Sequence, residues 1–257
     1  MSNIALITGA SAGIGLELAR YHAKRGGDVI LTARRESALD ELKSELVATH
    51  GITAHVIAMD LGAPGAAEAL YQQITEAGLQ VDILINNAGF GGHGIHTERD
   101  LSAEQAMIGL NVQALVSLTR LIGHDMAARG GGKILNVGST AGFMPGPNQA
   151  VYFATKAFVN SYSQAIDHEL RGKGVSCTVL APGYVETEFA AVSGLEGTNL
   201  ATNGATAASV AKLGYDGMLG GKLVVINEFR LRLLLGWIIP FLPRRMVLNI
   251  VQKMQSK

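Results

Sequence analysis

Tyr152 and Lys156 stand four residues apart in a run, 149–171, that reads as a long helix. Their side chains therefore share one helix face, a turn apart. A free phenol has a pKa of about 10 and is a poor proton carrier at neutral pH. A neighbouring ammonium favours the phenolate and draws that value down. Tyr152 could then give a proton to a carbonyl oxygen, or take one from an alcohol. Ser139 follows an apolar run at 133–137, where its hydroxyl can donate to an oxygen that gathers charge. The four-residue spacing is common in itself, and alone it reads as a buried tyrosine beside an exposed lysine. Position in the chain gives it weight.

That position is set by the opening of the sequence. Residues 8–15 read Thr-Gly-Ala-Ser-Ala-Gly-Ile-Gly, between an apolar strand pattern at 3–7 and a helical pattern at 16–25. Gly9, Gly13 and Gly15 thus fall where a strand turns into a helix. Glycine allows the tight turn and lets a ligand approach the backbone. The free N–H groups and dipole of the helix start attract phosphate. This is the expected setting of a nucleotide pyrophosphate, with G-x-x-x-G-x-G spacing in place of the tighter dinucleotide fingerprint.

Strand and helix patterns then alternate. Strands are expected at 28–33, 53–58, 81–85, 133–137, 175–180 and 222–226, and helices at 37–50 (Ser37 as N-cap), 101–129, 149–171 and 205–219. Together with the first strand this predicts an α/β fold, a Rossmann-like doubly wound parallel sheet of about seven strands flanked by helices. No composition break or repeat divides residues 1–257, so one dinucleotide-binding and catalytic domain is expected, with 227–257 as an apolar, basic tail rather than a separate domain.

In such a sheet ligands meet the carboxyl ends of the strands. The second strand ends in Ala33, not in an acid that would bond a ribose 2′-hydroxyl, and Arg34 and Arg35 follow. A guanidinium suits a 2′-phosphate, so NADP(H) is favoured over NAD(H), with Arg34, nearer the strand end, the better candidate. Asp60 could accept from an adenine amino group or cap the next helix. Asn86, Asn87, Ala88 and Gly89 can tie neighbouring strand ends and still let a cofactor pass closely. His93 and His96 lack companion ligands, which speaks against a metal. Asn111, inside a helical run, says little alone. Residues 184–203 lack periodicity and suit a mobile lid.

The chain is 48% hydrophobic with 32 glycines and zero net charge, enough for a large core and without an electrostatic case for nucleic acid. Its one cysteine, Cys177, lies in a strand pattern, reads as an inert buried thiol, and fits a cytoplasmic, reducing setting. The first strand begins at once, which leaves no room for a signal peptide. The apolar stretch 231–243 contains Arg232 and Pro240 and is too short to span a bilayer.

These motifs, in this order, resemble those of the short-chain dehydrogenase/reductase family in its single-domain form of about 250 residues. The likeness runs from Asn3 to about Ile226 and includes the glycine turn, Asn86-Asn87-Ala88-Gly89, Asn111, Ser139, Tyr152-x-x-x-Lys156 and Pro182-Gly183. It implies Tyr152 as catalytic acid/base, Lys156 as its partner, Ser139 as carbonyl orienter, and Asn111 as holder of a water relaying protons to Lys156. It also implies cofactor contacts from Ser11, Ile14, Arg34, Asp60, Asn87 and Ala88, and from Pro182, Gly183, Val185 and Thr187. Homodimers or homotetramers joined through the helices of Asn111 and Tyr152 are implied as well. Ala12 departs from the pattern, since a serine or basic residue is common there.

The expected activity is NADP-dependent hydride transfer on a small carbonyl or alcohol, with an apolar substrate fitting the tail better than a sugar. Two other readings compete: a non-catalytic dinucleotide-binding interaction or sensing protein, and a nucleotide-dependent transferase. For the tail, whose residues 243–253 read as a basic amphipathic helix, the options are packing on the substrate mouth or a subunit, or peripheral membrane contact.

Overall fold

A computed structural model describes residues 3–195, 197–198 and 204–255. The first six strands are β1 (Ile4–Thr8), β2 (Asp28–Ala33), β3 (Ala54–Ala58), β4 (Ile83–Asn86), β5 (Gly132–Val137) and β6 (Val175–Leu180). Helices α1 (Gly13–Lys24), α2 (Glu36–His50), α3 (Ala66–Glu76), α4 (Leu101–Ile108), α5 (Leu115–Arg129) and α6 (Ala150–Arg171) alternate with them. Two short strands, β7 (Val185–Glu186) and β8 (Ala205–Thr206), form a separate parallel pair. Between them lies α7 (Phe189–Val192), and α8 (Ala207–Leu219) and β9 (Val224–Val225) follow. The tail folds as α9 (Phe229–Leu233), a π-helical turn, a 3-10 turn and α10 (Arg244–Gln255).

The large sheet has seven parallel strands in the order β3-β2-β1-β4-β5-β6-β9. Period-two alternation separates its faces. Ala5, Ile7, Val29, Leu31 and Ile85 pack under α1, α2 and α8, with Leu18, Leu39 and Tyr215. Ile4, Leu6, Ile30, Leu84 and Ile134 pack under α3 and α5, with Leu70, Leu118, Ile122 and Met126. The strand order reverses between β1 and β4, which opens a crevice at their carboxyl ends. Thr8 fixes its walls, since its Oγ1 accepts from the N–H groups of Asn87 at 2.9 Å and Ala88 at 3.0 Å.

The seven-strand doubly wound fold is as expected, but several details differ. The last strand shrinks to two residues. Helix α2 begins at Glu36 without a side-chain cap, so Ser37 is not its N-cap. Asp60 accepts from Gly62 N–H at 3.0 Å in a tight turn and does not cap α3. The run 101–129 is broken by a π-helical segment, Gly109–Ala114, centred on Asn111. It is the one candidate span among the described residues by length and apolarity, yet its Met107, Leu118, Ile122 and Met126 are buried in the protein. The lid region carries β7 and α7; residues 196 and 199–203 of it lie outside the described ones.

Candidate active site

A cavity of about 700 Å³ runs along the crevice from the glycine turn to the tail, within the range of ligand pockets. At one end, α1 starts from Ala12 with no side-chain cap. Its first N–H groups therefore have no partner from the chain. Gly9 and Gly13 have φ of +66° and +55°, the left-handed region that glycine adopts without strain. A Cβ at Gly15 would sit 2.3 Å from the Gly9 carbonyl oxygen. Gly15 thus shapes the turn from beneath, while Gly9, Ser11, Gly13 and Ile14 line the cavity. This cradle, with its uncapped amides, fits a pyrophosphate.

The two arginines part company here. Both line the cavity, but the Arg35 guanidinium pairs with Glu188 at 3.0 Å and donates to the Ser11 carbonyl at 3.3 Å. Among the described residues, the exposed Arg34 side chain has no ion pair or hydrogen bond. Asp60, Asn87 and Ala88 continue the lining, and Pro182, Gly183, Val185 and Thr187 border it from beyond β6. The Asn87 amide donates to the carbonyls of Thr8 at 2.9 Å and Gly9 at 3.2 Å, which ties β4 to β1 as expected. The Asn86 amide instead joins the side chains of Thr119 and Asn136.

Tyr152, Lys156 and Ser139 share the cavity wall, all three buried. Lys156 Nζ donates to the Val137 carbonyl at 2.8 Å and lies 5.9 Å from the centre of the Tyr152 ring. The phenol is flanked by the Phe153 and Phe189 rings, at 6.2 and 5.4 Å. Burial pushes the Tyr152 hydroxyl up to about 12, against the opposing pull of a hydrogen bond with Ser139. Burial also pulls the Lys156 ammonium down to about 8. In the protein alone, desolvation thus outweighs the acidifying influence expected of Lys156 on the phenol. Ser139 Oγ accepts from Ala141 N–H at 3.1 Å, lies 3.5 Å from the Pro182 carbonyl and shares a hydrogen bond with the Tyr152 hydroxyl. The serine and phenol hydroxyls thus meet at the cavity wall, where an oxygen of a guest could take a hydrogen bond from either.

Asn111 does not reach the cavity surface. Its Oδ1 accepts from Phe90 N–H at 3.1 Å, and its Nδ2 donates to the Phe90 carbonyl at 2.9 Å and to Thr155 Oγ1 at 3.2 Å. Gly89 lies between Asn111 and Lys156: a Cβ there would be 2.9 Å from Asn111 Oδ1 and 3.6 Å from Lys156 Nζ. Asn111 lies within the π-helical segment, a distortion often found at functional sites.

Two residues at the site carry no sequence signal that singles them out. Asn160 donates to the Ser139 carbonyl at 2.9 Å and so holds the serine loop. Gln149 is buried and lines the cavity, and its Nε2 has no partner. His93 and His96 diverge, the first bonding the Gln255 carbonyl and the second facing Glu104. Cys177 is buried, with burial pushing its thiol up to about 12, in keeping with an inert thiol.

Against known proteins, a family model described as "short chain dehydrogenase" matches residues 3–196. The chain is 38% identical to sulfoacetaldehyde reductase 2 of Chromohalobacter salexigens over 194 residues, 75% of this chain and 76% of that protein. It is 30% identical to the very-long-chain 3-oxoacyl-CoA reductase of Anas platyrhynchos, covering 97% of this chain and 78% of that protein. A solved short-chain dehydrogenase from Sphingobium yanoikuyae, in complex with NADPH, superposes with a TM-score of 0.85 at 28% identity, over 99% of this chain and 98% of that one. With its Rossmann-type sheet and nucleotide cradle, the chain belongs to the short chain dehydrogenase family of oxidoreductases.

Proposed function

We propose that this chain, acting as one domain in a homodimer or homotetramer, is an NADP-dependent oxidoreductase for an apolar carbonyl or alcohol. One observation carries the reading: Ser139, Tyr152 and Lys156 are buried together on the wall of a cavity that also contains the glycine cradle. The uncapped start of α1 would hold the pyrophosphate, Arg34 the 2′-phosphate, Asp60 the adenine amino group and Lys156 the ribose hydroxyls. Asn87, Ala88, Pro182, Gly183, Val185 and Thr187 would border the rest. Bound there, the nicotinamide supplies or takes up hydride. Tyr152 Oη gives its proton to the carbonyl oxygen in reduction, and Ser139 donates a hydrogen bond to the same oxygen as charge develops. The absence of a Cβ at Gly89 keeps clear the gap in which Asn111 would hold a water next to Lys156.

The apolar lining of Phe90, Met144, Phe153, Phe189, Val192 and Leu231 supports an apolar substrate, and the acyl substrate named for one relative points the same way. Leu101, Ile108 and Phe158 leave apolar side chains exposed on α4 and α6, the helices the family likeness assigns to subunit contact. A cytoplasmic setting fits the free, buried thiol.

The cofactor assignment is tested by following nicotinamide absorbance with NADPH and NADH on a panel of apolar ketones. NADPH gives the higher kcat/KM, and Arg34→Ser raises its KM roughly 10- to 100-fold, the loss of one charge-assisted contact, with little change for NADH. A preference for NADH would remove Arg34 from this role and leave the enzyme reading intact.

Gln149 has a separate expected result. Gln149 lines the cavity three residues before Tyr152 and its buried amide nitrogen has no partner, so we assign it a hydrogen bond to substrate. Gln149→Leu leaves thermal stability equal or higher, because an orphaned buried amide is removed, and raises the ketone KM about 3- to 10-fold at similar kcat. An unchanged KM would show that Gln149 makes no such contact.

A further inference from the structure

The tail presents two apolar stripes, and only one of them is covered by the protein. In 229–242, Leu235 and Ile239 are buried and Leu231 and Leu242 half-buried, all packed beside Tyr152 and Phe153. The interleaved row Phe229, Leu233, Trp237 and Phe241 faces outward, with Phe229, Trp237 and Phe241 exposed by 72, 74 and 80%. Helix α10 repeats the pattern: Val247, Val251 and Gln255 are buried, while Met246, Ile250 and Met254 are exposed. Scattered exposed apolar residues are ordinary, but a tail that carries seven of them in two rows marks an interaction surface.

The charge beside these rows selects the occupant. Arg230, Arg232, Arg244 and Arg245 are exposed and have no ion-pair partner among the described residues, and residues 229–255 contain no Asp or Glu. A second copy meeting this face through a two-fold axis would set arginines against arginines. An anionic bilayer surface complements it, taking the aromatic and aliphatic rows into its interface and the arginines among its headgroups. We propose that the tail docks the protein peripherally on anionic lipid. Met254 is both exposed and part of the cavity lining, so the docked face adjoins the cavity mouth. Delivery of an apolar substrate from the bilayer follows if the oxidoreductase reading holds; the docking itself does not depend on that reading.

Trp237 is the only tryptophan in the chain, so its emission reports the contact directly. With the full-length protein and vesicles of phosphatidylcholine and phosphatidylglycerol at about 3:1, Trp237 emission shifts to the blue and the protein co-sediments. Pure phosphatidylcholine vesicles capture at least tenfold less, and about 0.5 M salt, where screening shortens to a few ångströms, reduces capture on the anionic vesicles. W237E/F241E lowers capture at least tenfold, with NADPH-dependent reduction of a water-soluble ketone and the melting temperature unchanged. Equal capture by neutral and anionic vesicles, or no shift and no capture with either, would overturn the proposal in the wild-type protein alone. So would a blue shift that grows with protein concentration without lipid while the mass doubles, since that would make the face a subunit interface.

Discussion

Tyr152→Phe slows ketone reduction by roughly 10²- to 10⁴-fold, the range a positioned general acid contributes, while the protein still folds and still takes up NADPH. The substitution removes only the hydroxyl. The ring stays between Phe153 and Phe189, and no carbonyl or carboxylate of the chain relies on the phenol as a donor in the described hydrogen bonds. Stability therefore changes little, and deleting a buried polar oxygen can raise it slightly. The measurement pairs steady-state turnover with an NADPH fluorescence titration on the same preparation. Retained NADPH binding with turnover within about threefold of wild type would favour the non-catalytic dinucleotide-binding reading over an enzyme.

Lys156→Met gives the second large effect, with opposite signs for activity and stability. Turnover drops by about 10²-fold or more, because the ammonium that, in the proposed function, would hold the ribose and support proton transfer is gone. The folded protein gains. Burial lowers the Lys156 pKa from 10.5 to about 8, so at pH 7 the native state keeps a charge it has desolvated, at a cost of roughly 3 kcal/mol. Methionine removes that cost and gives up one hydrogen bond to Val137 O, about 1 kcal/mol. A net gain of about 2 kcal/mol corresponds to a melting temperature several degrees higher.

The pH dependence follows from the direction of the shift. Between about 8 and 10.5 the native state has released the Lys156 proton while the unfolded chain still holds it. Wild-type stability therefore rises with pH through that window relative to the variant, whose advantage is full below about 8, is lost within the window and is reversed near 10.5, where only the missing hydrogen bond counts. Comparing the two melting curves cancels every other titration. Reductive kcat/KM of the wild type should fall as pH rises past about 8. A variant equally stable with wild type at pH 7 and at pH 10 would show that Lys156 carries no such desolvation burden.

Much of this molecule is written in short stretches. The strand pattern at 3–7, the glycines that follow and the helix after them are consecutive, and backbone sterics act over that range. The doubly wound sheet was therefore legible from alternation of period two and period 3.6. The Tyr152–Lys156 juxtaposition needs only one helical turn. Boundaries were less legible: the strand pattern at 222–226 pairs with β6 only over Val224–Val225. Ser37 looked like a cap, but the chain enters α2 one residue earlier.

The sequence by itself determined the fold class, the nucleotide cradle and the chemical character of the residues along the crevice, because each depends on neighbours within a few positions. Tertiary structure alone decided which of two adjacent arginines is tied to Glu188, that Gln149 keeps an unpartnered amide, and that Asn111 is buried within a π-helical segment. It also decided which stripe of the tail is covered. The tail is apolar on more than one side, so its periodicity names no single face; only the packing of Leu235, Ile239, Val247 and Val251 beside Tyr152 leaves Trp237 and Phe241 facing out.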